Sequence, residues 1–160
     1  MDRPDLSYVV KEFQASVAVK QRILEDPRFV QQVMDMGHLL IDCYEAGHKL
    51  MIAGNGGSAA DAQHIAAEFV SRFNFDRPGL PALALTTDTS ILTAVGNDYG
   101  YDQLFRRQIE ANGVGGDVFL GISTSGNSPN ILQALEAARL KGITTFGLTG
   151  KTGGKMRELC

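Results

Sequence analysis

The feature that most restricts what this chain can become is a recurring order of short apolar run, small-residue loop and helical pattern. Lys49-Leu50-Met51-Ile52-Ala53 runs into Gly54-Asn55-Gly56-Gly57-Ser58, and a helical pattern follows from about Ala59 to Phe73. Pro81 to Leu85 reads as a second strand, followed by a loop at Gly96-Asn97-Asp98 and a helix from Tyr101 to Asn112. Asp117 to Ile122 reads as a third strand entering Ser123-Thr124-Ser125-Gly126-Asn127-Ser128, with Pro129 placed to begin a helix. Thr144 to Leu148 is the fourth strand. Strands alternating with helices demand right-handed crossovers, which predicts an α/β fold. Its architecture is a three-layer, doubly wound parallel sheet with ligand-binding loops outside the carboxyl ends of the strands.

Two long helical patterns precede the first strand. Leu6, Val9, Val10, Phe13, Val17, Ile23 and Leu24 recur at helical spacing, and Pro27 opens a second run through Phe29, Val30, Val33, Met34, Leu40 and Ile41 that Gly47 stops. They carry more apolar positions than one sheet face needs, which points to a helical interface between subunits. The expected organisation is one domain over residues 1–160, with residues 1–46 as oligomerisation helices and 47–160 as the binding core. A net charge of −3 and a pI near 5.6 leave no basic excess for a sequence-independent grip on nucleic acid. No apolar run approaches a membrane span, and the opening residues lack the pattern of a signal peptide. Cys43 and Cys160 share no metal-type spacing, so a reducing, cytoplasmic setting without nucleic-acid or membrane partners is expected.

The loops carry the chemistry. Ser123 to Ser128 sets hydroxyls and backbone N–H groups at a helix N-terminus, where a phosphate would be held without lysine or arginine; a serine-rich capped turn reads equally well. Gly54 to Ser58 occupies the same position after the first strand, and its glycines let the backbone approach a ligand, or simply make a turn. It lacks the spacing of a dinucleotide fingerprint. His64 and Glu68, four apart, share one helix face and could meet a common ion such as zinc, or form an ordinary exposed pair. Asn97 and Asp98 could hold sugar hydroxyls or form a turn for local reasons. His38 and His48 read as structural.

The segments AGNGGS, DAQHIAAEF, TTDTSILTAVGNDYG, GDVFLGISTSGNSPN and GLTGKTGGKM resemble the SIS-type phosphoheptose isomerases, in order, from about residue 45 to 157. STSGNS alone would specify only the superfamily; GNGGS, the His64/Glu68 pair and GNDYG narrow it. The resemblance implies a flavodoxin-like SIS fold, a homotetramer, and conversion of sedoheptulose 7-phosphate to D-glycero-D-manno-heptose 7-phosphate for bacterial surface heptose synthesis. It implies substrate contacts at Asn55, Gly56, Gly57, Ser58, Asn97, Asp98, Ser123, Thr124, Ser125 and Ser128, and zinc contacts at His64 and Glu68. Proton transfer between C1 and C2 through an enediol requires a base, and Glu68 is the best candidate. A carboxylate bound to zinc is a weakened base, so proton contact ranks above permanent ligation. Relatives continue past the position of Cys160 with a fifth strand and a helix, whose glutamine and histidine complete the zinc shell and supply a second acid/base group. The competing readings are a non-catalytic SIS protein that binds a replication initiator, or a sugar-phosphate sensor. GNGGS and GNDYG favour the isomerase.

Overall fold

Four strands, β1 (Leu50–Gly54), β2 (Ala82–Ala84), β3 (Val118–Ser123) and β4 (Thr144–Thr149), make one sheet in the order β2-β1-β3-β4, every neighbouring pair parallel. The computed structural model describes residues 3, 5–150 and 152–160. The first strand is central and buried along its whole length, as an apolar run covered on both faces must be. Side chains alternate across it. Met51 and Ala53, with Phe119 of β3, join a core that includes Phe105 and Ile109 of α5 (Leu104–Asn112) and Ile131, Ala134 and Leu135 of α6 (Pro129–Leu140). α3 (Gly57–Val70) packs along β1 and β2 and buries Ala62 and Ala66. Leu50, Met51 and Ile52 are at most 1% exposed, and each contributes about 1.5–3 kcal/mol by leaving water.

The expected doubly wound parallel architecture is therefore what the chain adopts, with one correction. Gly96, Asn97 and Asp98 do not form a loop: they are the last turn of α4 (Thr89–Asp98). The Asp88 carboxylate caps this helix by accepting from the Ile91 N–H at 2.9 Å, and Ile91, Leu92 and Val95 give it a half-buried face. A glycine inside a helix costs only about 1 kcal/mol, which the cap and this face offset. The helix expected from Tyr101 accordingly begins as a short 3-10 turn, Tyr101–Gln103, before α5. The helix expected to reach Phe73 ends at Val70, where the Arg77 guanidinium donates to the Glu68 and Phe69 carbonyls at 2.9 Å.

The chain divides into two compact units, the first ending at Leu39 and the second running over Leu40–Cys160. α1 (Leu6–Leu24), capped by Asp5, and most of α2 (Pro27–Glu45) belong to the first. No residue of α1 is buried, and Phe13 is 71% exposed. No helix among the described residues is long and apolar enough to cross a membrane.

Candidate active site

Two loops meet at the carboxyl ends of β1 and β3 because those strands pair directly, Gly54 lying opposite Ile122. The first loop turns sharply into α3. Gly54 must be glycine, since a Cβ there would collide with the Ser58 carbonyl, and Gly56 sits at φ +56°. Ser58 donates its N–H to the Asn55 carbonyl at 3.0 Å, closing the turn and leaving Gly56 and Gly57 exposed.

The second loop is held from behind. Gly126, at φ +67°, packs so tightly on Gly153 that a Cβ would collide with its carbonyl group. Gly150 and Met156 donate their N–H groups to the Thr124 and Gly126 carbonyls at 3.1 and 3.0 Å, and the Asn127 side chain accepts from the Lys155 N–H at 3.0 Å. The hydroxyls divide into two groups. Ser123 is buried and shares a 2.8 Å hydrogen bond with Ser128, whereas Thr124 and Ser125 are exposed. Ser128 precedes Pro129 at the start of α6, and its side chain makes no capping hydrogen bond. Pro129 has no N–H, and the Ile131 and Leu132 N–H groups donate to the Ser128 carbonyl at 3.1 and 3.0 Å, so the first turn of α6 keeps the Asn130 N–H for an anion.

His64 and Glu68 do share one face of α3, with Nε2 and Oε1 3.6 Å apart. His64 is 75% exposed and Glu68 33% by side chain. At about 1.5 Å of rise per residue, Glu68 stands roughly 16 Å along α3 from Gly57. Asn97 and Asp98 are exposed and bonded to each other, Nδ2 to Oδ1 at 2.8 Å, and neither bonds to the glycine or serine loop among the described residues. What crosses instead is Tyr101, whose hydroxyl donates to Asn55 Oδ1 at 3.0 Å. Asn55 and Asn130 also exchange hydrogen bonds, each Nδ2 donating to the other's Oδ1 at 2.9 Å. Periodicity and spacing give no signal for Tyr101 or Asn130. Asn130 closes the GNSPN segment, whereas Tyr101 stands one residue beyond GNDYG, outside the segments that carry the resemblance.

The SIS domain family profile matches residues 13–150, on which both loops lie. The chain belongs to the SIS domain family, among its phosphoheptose isomerases. It is 61% identical over 153 residues to the phosphoheptose isomerase of Aneurinibacillus thermoaerophilus, covering 96% of this chain and 77% of the relative. The structure of the Neisseria gonorrhoeae phosphoheptose isomerase superposes with a TM-score of 0.87 at 43% identity, covering 95% of this chain and 78% of that one. That from Francisella tularensis gives 0.90 at 36% identity, covering 98% and 81%. The chain is an isomerase of this family, and the SIS fold expected from the resemblance is the one it has.

The opposite ends of the same strands carry a different cluster. Asp117 is fully buried and accepts from Lys49 Nζ at 2.6 Å, the Val114 N–H at 2.9 Å and the Lys49 N–H at 3.1 Å, with His48 Nδ1 at 3.6 Å. Burial pushes the Asp117 carboxyl up, but these hydrogen bonds and the Lys49 charge outweigh it and hold the group below the usual carboxylate value.

Proposed function

We infer that this protein interconverts sedoheptulose 7-phosphate and D-glycero-D-manno-heptose 7-phosphate, supplying heptose for bacterial surface glycoconjugates. The observation that carries this reading is 61% identity over 96% of the chain to a phosphoheptose isomerase, with both loops in the matched region. The phosphate is assigned to Thr124, Ser125 and Ser128 at the N-terminal end of α6, Ser123 supporting Ser128 from beneath. Gly56, Gly57 and Ser58 border the sugar, Asn55 offers it a carboxamide, and Asn97 and Asp98 are proposed for its hydroxyls.

The reaction moves one proton from C1 to C2 and another from O1 to O2. Glu68 takes the first from C1 of the open-chain ketose, and the C2 oxygen gains a proton as the C1–C2 enediol forms. Return of a proton to C2 and loss of the O1 proton then give the aldehyde. The protein is proposed to work as a homotetramer in the cytoplasm. The unburied apolar face of α1 supports self-association.

Zinc belongs to this proposal in a restricted form. His64 and Glu68 have the donor chemistry and the separation of two ligands to one ion, and a bound zinc would polarise the C2 carbonyl. No group of three or more His, Cys, Asp or Glu is gathered among the described residues, so the pair by itself does not fit a closed zinc site.

The test is to incubate the full-length protein with sedoheptulose 7-phosphate in heavy water and follow the products by NMR. Aldose formation with deuterium at C2 supports isomerisation, and binding without exchange would refute it. In the same assay Glu68→Gln should reduce turnover by about 10²–10⁴-fold while leaving inorganic phosphate binding intact. Retained turnover would remove Glu68 from the proton transfer.

A further inference from the structure

Two residues with no part in the proposed chemistry take up most of the hydrogen-bonding capacity of Asn55. A carboxamide has two N–H donors and an oxygen that can accept twice. Asn55 Oδ1 accepts from Asn130 Nδ2 at 2.9 Å and from the Tyr101 hydroxyl at 3.0 Å, which fills it. One of its N–H groups goes to Asn130 Oδ1 at 2.9 Å. A single N–H is left, on a side chain that is half-buried and so still reaches solvent.

We propose that Asn130 and Tyr101 are positioning residues for Asn55, fixing its carboxamide so that it meets the sugar with one N–H and selects an oxygen acceptor there. Asn130 is 1% exposed, on the first turn of α6, and so gives Asn55 a partner that cannot wander. In the structure the phenol donates to Oδ1, and this is what leaves an N–H of Asn55, rather than an oxygen lone pair, for the ligand. The network also ties three stretches of chain into one rigid unit: the loop after β1, the start of α6 and the turn after α4. Holding Asn55 in advance removes an ordering cost from the reaction, since a donor already aimed need not be immobilised by substrate.

The proposal rests on the reading of Asn55 as a substrate contact, and a double-mutant cycle separates the two. Tyr101 is 62% exposed, so Tyr101→Phe removes the hydroxyl with little disturbance of packing. In the full-length protein Tyr101→Phe is expected to lower kcat/KM for sedoheptulose 7-phosphate by about tenfold, the scale of one hydrogen bond. Its melting temperature and its inhibition by inorganic phosphate should stay unchanged. Once Asn55→Ala is present, Tyr101→Phe should cost nothing further, because it acts only through Asn55. Asn130→Asp, which loses the donor to Asn55 Oδ1 at constant size, should be masked in the same way. Full activity in Tyr101→Phe, or losses that multiply in the double variant, overturns the positioning role while leaving the substrate contact standing. Full activity in Asn55→Ala overturns the contact itself and the proposal with it.

Discussion

The two ends of the parallel sheet treat polar groups in opposite ways. At the amino ends of β1 and β3, Asp117 is saturated by two N–H groups and an ammonium within 3.1 Å, and nothing is left to offer a ligand. At the carboxyl ends of the same strands, Thr124, Ser125, Gly56 and Gly57 are exposed, and the first turn of α6 lacks a side-chain cap. Beneath them Ser123 is paired with Ser128 and Asn55 with Asn130. One end stabilises and the other binds. A buried carboxylate is tolerable only when satisfied, whereas a site must keep donors free for the ligand to satisfy.

The division of labour is open to direct attack, beginning at the stabilising end. Asp117→Ala strands Lys49 and two N–H groups, and should cost about 3 kcal/mol in urea unfolding. Turnover of the protein that remains folded should be unchanged; a lost activity at full stability would dissolve the contrast. The pH dependence has a definite sign. Because the folded carboxyl is held below its usual value near 3.8, the unfolded chain binds the proton first as pH falls. Asp117's contribution is therefore complete above that value and fades below it, so the deficit of Asp117→Ala should be constant near neutrality and shrink in acid. A deficit that grew on acidification would contradict the arrangement.

Gly126→Ala probes the join between binding and stability, since φ +67° and the close approach to Gly153 both forbid a Cβ. It should cost about 1–3 kcal/mol and raise KM by displacing the serine loop. An unchanged KM would mean that the loop does not hold substrate. Ser125→Ala is the smallest change: its hydroxyl accepts from the Asn127 N–H at 3.1 Å on an exposed loop. Thermal melting should move little, while KM rises several-fold, on the order of one hydrogen bond. A change in melting without a change in KM would place Ser125 with the stabilising groups instead.

Much of this contrast is legible in the amino-acid sequence. The strand at Leu50, the serine loop and Pro129 at the start of α6 follow from local rules, and each lies where those rules put it. The same rules fail at Gly96-Asn97-Asp98, where turn-forming residues sit inside a helix, because the Asp88 cap and the face formed by Ile91, Leu92 and Val95 outweigh them. The spacing of His64 and Glu68 puts them on one face of α3, where they are found.

The sequence by itself determined the alternation of strand and helix, and with it a parallel sheet whose glycine and serine loops emerge at one end, because periodicity and turn chemistry act over a few residues. Only the tertiary structure decided which distant side chains meet. Lys49 reaches Asp117 across 68 positions, Asn55 reaches Asn130 across 75 and Tyr101 across 46. Those meetings depend on strand order and register, which bring β1 beside β3 and set the loops after them face to face, and no local pattern encodes them.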